Sequence, residues 1–187
     1  VLGLAVLLSA CEEPEFILPA PVANNAVALA EGPQGPTLYS FLGLASGKTH
    51  RDVVRHSYAC PLENSTCYAL SDVPVDQGRL ASVAATVRGK VLLFGGYTVA
   101  ADGSEVSTPE VLAFDPMTQS YEARAPMPVP VDDTVALVYQ DRFVYLISGW
   151  HDDGNVALVQ TYDFEKDRWF QATRYPGSPV FGHAGGL

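Results

Sequence analysis

Residues 89–128 decide the fold. They begin Gly-Lys-Val-Leu-Leu-Phe-Gly-Gly (89–96), continue through a polar loop, and end Val-Leu-Ala-Phe-Asp-Pro-Met-Thr-Gln-Ser-Tyr-Glu-Ala-Arg-Ala-Pro-Met-Pro (111–128). Short apolar runs bounded by Gly, Pro and Asp are typical of β-strands. Asp115-Pro116 is turn chemistry, so the stretch predicts antiparallel strands joined by tight turns.

The same pattern occurs three times at a spacing of about 50 residues. Downstream it reads Asp-Arg-Phe-Val-Tyr-Leu-Ile-Ser-Gly (141–149) and Thr-Tyr-Asp-Phe-Glu-Lys-Asp-Arg-Trp (161–169). A weaker upstream copy reads Leu-Tyr-Ser-Phe-Leu-Gly (38–43) and Tyr-Ala-Cys-Pro (58–61). The spacing differs only in the loop after the glycines, where a surface connection tolerates changes in length.

This repeat resembles the kelch repeat, which builds the blades of β-propellers. The residues that carry the resemblance are Gly95-Gly96 after strand two, Asp115 or Asp163 closing strand three, and Tyr121 or Trp169 opening strand four. The first copy lacks the glycine pair and the third has Ser-Gly instead. The resemblance implies an all-β fold in which the strand-four aromatic wedges against the neighbouring blade.

The expected architecture is a partial kelch-type β-propeller. It has about three four-stranded antiparallel blades, at residues 37–74, 79–128 and 130–176, and the start of a fourth at 177–187. Each blade is expected to bury both faces against its neighbours. Closed propellers usually have four to eight blades, so we expect this chain to be a fragment of a longer protein.

Composition excludes one class of partner. The 187 residues are 48% hydrophobic, enough for a packed core, and carry a net charge of −10. Only 11 residues are Lys or Arg. Nucleic-acid phosphates require clustered basic side chains, so no nucleic-acid partner is expected.

The amino-terminal segment predicts export. Residues 1–10 are apolar, too short to span a bilayer, and typical of a signal peptide. The run ends Leu-Ser-Ala-Cys, which resembles a bacterial lipobox with Cys11 as the lipid-bearing residue and a membrane anchor; a buried strand is the alternative. A Pro-rich tether is expected over 11–36, in which the apolar residues 26–30 could pair weakly with the propeller. These features predict a cell-envelope protein, and Glu12 after the cysteine favours the outer membrane by analogy with enteric lipoproteins.

The other two cysteines flank a predicted hairpin turn. An exported chain meets oxidising conditions, so Cys60 and Cys67 are expected to form a disulfide; two free buried thiols are the alternative. Their spacing is not CxxC and no second pair exists, so no metal site is expected there. No cofactor is predicted.

Polar and aromatic residues concentrate in the connections at one end of the predicted blades. Long loops on a rigid scaffold tend to carry recognition, so this end is the predicted binding face. Its candidate residues are Tyr97, Asp132, Asp133, Trp150, His151, Asp152, Asp153, Tyr175, Phe181 and His183. Residues 150–155 could bind a sugar, could bind calcium, or could be an ordinary solvated turn. His183 is either a core histidine or a residue at the mouth of the propeller channel, while His50 and His56 fall at unrelated positions in the first blade.

Function is less constrained than fold. The sequence contains no G-x-S-x-G, no H-E-x-x-H and no phosphate-binding glycine loop. The favoured interpretation is a recognition module that binds a protein or a glycan. The alternative is a carbohydrate-active enzyme, because kelch propellers also occur in sialic acid mutarotases and galactose oxidases, whose catalytic residues cannot be matched here. A purely structural envelope protein is a third possibility.

Overall fold

The computed structural model describes residues 16–64 and 66–186. This part of the chain is all-β except for one 3-10 turn at His50–Asp52. Three four-stranded antiparallel sheets follow one another along the chain. No helix in the described part is long and apolar enough to cross a membrane. The predicted all-β architecture of successive propeller blades is confirmed.

Each sheet is an antiparallel meander in which neighbouring strands pair in chain order. Blade one contains β1 (Ala26–Gly32), β2 (Gly35–Phe41), β3 (Ser57–Pro61) and β4 (Tyr68–Ala69). Blade two contains β5 (Val83–Val87), β6 (Lys90–Phe94), β9 (Val111–Asp115) and β10 (Ser120–Arg124). Blade three contains β11 (Val135–Tyr139), β12 (Phe143–Ile147), β15 (Val159–Asp163) and β16 (Arg168–Gln171). Two small ribbons, β7 (Tyr97–Val99) with β8 (Glu105–Ser107) and β13 (Trp150–His151) with β14 (Gly154–Asn155), project from blades two and three.

Strand β6 shows why the blades stack. Its side chains alternate between the two faces of the sheet, as strand geometry requires. Val91 and Leu93 pack in the core shared with blade one, whereas Leu92 and Phe94 pack in the core shared with blade three. All four are buried. The run Val-Leu-Leu-Phe is therefore continuously apolar because both faces of this blade are covered.

The strand-four aromatics connect each blade to the one before it. The Tyr121 hydroxyl donates a hydrogen bond to Ser57 Oγ of blade one, at 3.3 Å. Trp169 packs edge-on to Phe94 of blade two at 5.9 Å between ring centroids, and its Nε1–H donates to the Ala125 carbonyl at 2.8 Å. Both rings therefore contact the preceding blade.

A glycine is required shortly after the second strand of every blade. Equivalent glycines follow the second strand of each blade at Gly43, Gly96 and Gly149, with φ of 110°, 86° and 108°. A Cβ at each would lie 2.7 Å from a carbonyl oxygen, that of Ala23, Leu80 or Asp132 respectively. The preceding residue also has positive φ, yet it is Leu42 in blade one and Ser148 in blade three. Only the second glycine of the pair therefore recurs, which explains the departures seen in the sequence.

A chain of backbone hydrogen bonds links the starts of the blades. The Ala81 N–H donates to the Asn24 carbonyl at 3.2 Å, the Asp133 N–H to Ala81 at 3.1 Å, and the Gly182 N–H to Asp133 at 2.8 Å. All four residues have φ between 46° and 59°. We call this series, Asn24–Ala81–Asp133–Gly182, the inter-blade hydrogen-bond chain. It joins consecutive blades through backbone atoms alone.

Blade one begins earlier than the sequence pattern predicted. The sequence predicts a tether over 11–36, but within it β1 pairs with β2 along its whole length, from Ala26 with Phe41 to Gly32 with Gly35. Ala26 and Ala30 enter the core of blades one and two. Closely spaced prolines indicated a linker, whereas tertiary packing made this segment a strand. The predicted signal peptide at 1–10, the lipidation site Cys11 and the tether up to residue 15 lie outside the described residues.

Two further sequence predictions concern local connections. Cys60 and Cys67 are joined by a disulfide across the β3–β4 turn. Residues 177–186, predicted to start a fourth blade, contain no strand, but Gly182 continues the inter-blade hydrogen-bond chain. This segment therefore takes the position that precedes the first strand in the other blades.

Candidate functional site

One end of the blades carries all the long connections. In an antiparallel meander, the loop between strands two and three leaves at the same end as the connection to the next blade. In blades two and three the first of these loops folds back as the β7–β8 and β13–β14 ribbons. The opposite end has tight turns, such as the one between β5 and β6. The predicted binding face therefore consists of the two ribbons, which project from one end of the blades.

A pocket lies between the two ribbons. Its volume is about 250 Å³, and its lining residues are Tyr97, Glu105, Asp132, Asp133, Trp150 and Phe181. We call this the acidic–aromatic pocket. The rings of Trp150 and Phe181 meet edge-on at 5.6 Å between centroids, and Phe181 is 54% exposed. Three aromatic and three acidic side chains therefore converge on one concave surface.

Hydrogen bonds hold the ribbons in place around this pocket. The backbones of Asp132 and Trp150 exchange two hydrogen bonds, at 3.0 and 2.9 Å. The Ser107 hydroxyl donates to the Asp132 carboxylate at 2.6 Å, and the Asp152 N–H donates to Ser107 Oγ at 3.1 Å. The Trp150 Nε1–H donates to the Asp152 carbonyl at 2.7 Å. These hydrogen bonds cross-link the two ribbons through Ser107 and so hold the pocket lining in place.

The surroundings of the site disfavour the ionised form of its carboxyl groups. The pKa of Asp132 is raised to about 6, mainly by burial and in smaller part by the nearby charges of Asp133, Glu105 and Asp152, while the hydrogen bond from Ser107 opposes the rise. Burial also raises the pKa of Asp133. The pKa of Tyr97 is raised by burial first and then by the surrounding carboxylates. Each shift disfavours negative charge, so the site would gain from a positive group.

The structure brings together six of the ten residues predicted for the binding face. Tyr97, Asp132, Asp133, Trp150 and Phe181 line the acidic–aromatic pocket, and Asp152 lines its narrow extension with Ser107.

The other four lie apart from the pocket. His151 lies beside Asp152 with 3.6 Å between Nε2 and Oδ2, and Asp153 is exposed at the tip of its ribbon turn. Tyr175 is bonded through its backbone to Ala157, and His183 is half-buried beyond the pocket. These residues do not line the cavity.

Sequence reasoning missed Glu105 and Ser107. Both lie on β8, which reaches the pocket only because the loop of blade two folds back on itself. A usable signal was present, since Asp102-Gly103 is a dipeptide that favours tight hairpin turns. A hairpin over residues 97–107 pairs Tyr97 with Ser107 and Val99 with Glu105, which places Ser107 and Glu105 on the same face as Tyr97.

A second, larger cavity lies on the same face between blades one and two. Its volume is about 640 Å³, and its polar lining includes His50, Arg55, His56, Asp72, Asp76 and Gln77. Arg55 donates to the Val75 carbonyl at 3.0 Å and lies 3.9 Å from Asp72. We call this the histidine pocket. His50 and His56 appeared unrelated in the sequence, but folding brings them together.

Neither pocket is built as a metal centre. Within residues 16–64 and 66–186, no group of three or more His, Cys, Asp or Glu side chains is arranged to hold a metal ion. The ribbon turn at residues 152–153, considered for calcium, leaves Asp153 pointing into solvent. Asp152 instead takes part in the ribbon cross-link.

Comparisons with known proteins bear on the fold alone. No family model matches the chain, and no curated protein does. The solved structure of YjhT is similar, with a TM-score of 0.72 at 17% sequence identity. The match covers 88% of this chain and 55% of that one, so this chain spans about half the length of YjhT. The similarity shows a β-propeller-like, all-β fold.

Proposed function

We propose that this chain is a recognition module that binds its ligand in the acidic–aromatic pocket. The observation that carries the proposal is the convergence of Tyr97, Trp150 and Phe181 with the buried Asp132 carboxylate and its acidic neighbours on the ribbon face. Binding sites are concave, mostly apolar, and fitted with a few oriented polar groups, as this pocket is. The repeats resemble kelch repeats, and we include that assignment in the proposal.

The proposal places the module in the bacterial cell envelope. The apolar run before Cys11 supports export and lipid attachment. The Cys60–Cys67 disulfide is compatible with an oxidising compartment. The partner bound there would be a protein or a glycan displayed at the membrane.

A carbohydrate-active enzyme is the second candidate. It is supported by the histidine pocket of about 640 Å³, whose lining includes His50, His56, Arg55, Asp72 and Asp76. Such a set could bind and protonate a polar substrate. If turnover of a carbohydrate substrate is measured, its loss in the His56→Ala variant and its retention in the Trp150→Ala variant would favour the enzyme over the recognition module.

The test of the recognition module compares the two ends of the blades. Purified protein is screened on arrays of glycans and synthetic peptides, and the affinity of each hit is measured by titration. Trp150→Ala should weaken binding about five- to tenfold by removing the aromatic surface, and Trp150→Phe should restore much of it. Met117→Ala, an exposed apolar residue at the opposite end, is the matched control. Equal binding by Trp150→Ala and wild type, with circular dichroism unchanged, would rule out this pocket.

A further inference from the structure

The acidic–aromatic pocket has an unbalanced charge. Four carboxylates, from Glu105, Asp132, Asp133 and Asp152, surround the pocket and its narrow extension. None of the residues lining either cavity is basic. The whole chain carries a net charge of −10, so the field of the protein adds to the attraction of cations by these four carboxylates.

One buried carboxylate, that of Asp132, has an oxygen that accepts no hydrogen bond from the described residues. Asp132 is 2% exposed, and among the described residues only its Oδ2 accepts a hydrogen bond, from Ser107. A buried carboxylate is costly unless it is fully paired. Because Asp132 lines the pocket, its second oxygen is available to a donor that enters there.

The shape of the site favours an organic cation over a metal ion. The carboxylates do not form a metal-binding cluster, and a volume of about 250 Å³ far exceeds that of a bare ion. Three aromatic side chains line the same space. Aromatic rings attract ammonium groups through the negative charge on their faces, and cages of this kind recognise alkylated ammonium ligands.

We propose that the acidic–aromatic pocket selects ligands that carry an ammonium group. Asp132 and its neighbouring carboxylates accept hydrogen bonds and balance the charge, while Trp150, Tyr97 and Phe181 cover the attached carbons. This inference rests on the proposed function, since it names the ligand class of the same pocket. It also disfavours anionic sugars there, because four carboxylates would repel them.

The experiment uses matched pairs of small probes that differ in one charged group. n-Butylammonium is compared with n-butanol, and glucosamine with glucose, by isothermal titration calorimetry at pH 7.5 and low salt. We expect each ammonium probe to bind at least about tenfold more tightly than its neutral partner, and salt to reduce this preference. The two pairs separate an alkyl ammonium from an amino sugar.

Variants locate the effect within the pocket. Asp132→Asn and Glu105→Gln should each reduce the affinity for the ammonium probes about fivefold or more while changing neutral probes little. Glu63→Gln, in the exposed turn between β3 and β4, removes the same charge at the other end and should leave binding unchanged. Asp132→Asn retains an oxygen for Ser107, so the ribbons should stay cross-linked.

The outcomes separate the two proposals. If neutral and charged probes bind equally and Trp150→Ala weakens both, the pocket is a recognition site but the selection for ammonium is wrong. If neither ammonium probe binds, or calcium binds in their place, the inference is also overturned. If ammonium probes bind but Trp150→Ala and Asp132→Asn have no effect, the site lies elsewhere and both proposals fail.

Discussion

Replacing Asp132 with Asn should stabilise the protein at neutral pH. The pKa of this carboxyl is raised from 3.8 to about 6, mainly by burial. Each pKa unit corresponds to about 1.4 kcal/mol, so ionising Asp132 in the folded state costs about 3 kcal/mol. Asn carries no charge and can still accept the Ser107 hydrogen bond. Asp132→Asn should therefore gain about 3 kcal/mol in the free energy of unfolding at pH 7.5.

The sign of the pH dependence follows from the raised pKa. Between about pH 4 and 6 the folded state holds the Asp132 proton and the unfolded state releases it. The contribution of this group to stability is therefore complete below about pH 4 and is lost as the pH rises through about 6. The advantage of Asp132→Asn should accordingly shrink to about 0.5 kcal/mol at pH 4.

The assay is urea unfolding followed by tryptophan fluorescence at both pH values. Subtracting wild type from variant cancels the other carboxylates, such as Asp115 and Asp163, whose lowered pKa values give the opposite slope. Asp153→Asn removes the same charge at the exposed tip of the ribbon and should change stability by less than about 0.5 kcal/mol. A gain of equal size at pH 4 and 7.5, or no gain at pH 7.5, would refute the reasoning.

Three other predictions concern the scaffold and the anchor. In the same urea assay, Gly96→Ala should lower the free energy of unfolding by about 2–5 kcal/mol, because it adds backbone strain and contact with the Leu80 carbonyl. Gly103→Ala, with φ of 84° and nothing near its Cβ, should lower it by only about 1–2 kcal/mol. Equal losses in the two variants would contradict the argument that crowding requires glycine at position 96. Counting thiols in the oxidised, denatured protein should show no free thiol from Cys60 or Cys67, and reducing that short loop should cost about 2–3 kcal/mol; two thiols from this pair would exclude the bridge. Expressed with a native start in a lipoprotein-processing host, the mature protein should carry an acylated Cys11 by mass spectrometry, and an unmodified cytoplasmic chain would reject export.

The repeated core was predictable because its signals are local. The run Val91–Phe94 is apolar throughout, and a strand with both faces buried requires this pattern. Tyr121 and Trp169 lie at the same position of the fourth strand in two repeats, and both contact the preceding blade. Turn residues such as Asp115-Pro116 fixed where each hairpin ends. These features depend on a few neighbouring residues, so a single sequence contains them.

The site was only partly predictable because it depends on contacts between distant segments. Glu105 faces the pocket through the β7–β8 ribbon, and Phe181 reaches it from the far side of blade three. His50 and His56 likewise share a cavity only after the β2–β3 loop has folded. Strand β1 was missed for a related reason, since pairing with β2 outweighed the local preference of a Pro-rich stretch.

The inter-blade hydrogen-bond chain separates the stacking of the blades from the tip of the β7–β8 ribbon. Its bonds join backbone groups at positions as different as Asn24, Ala81 and Gly182, so the angle between blades does not depend on those side chains. A Cβ at Gly103 would meet no heavy atom within 4 Å, so changes of length and sequence should be tolerated at this ribbon turn. Asp133 is the exception, since its backbone belongs to the chain and its side chain lines the pocket. Changes at the Gly103 turn should therefore leave the stack intact, whereas Asp133 must keep its left-handed backbone for both the stack and the pocket.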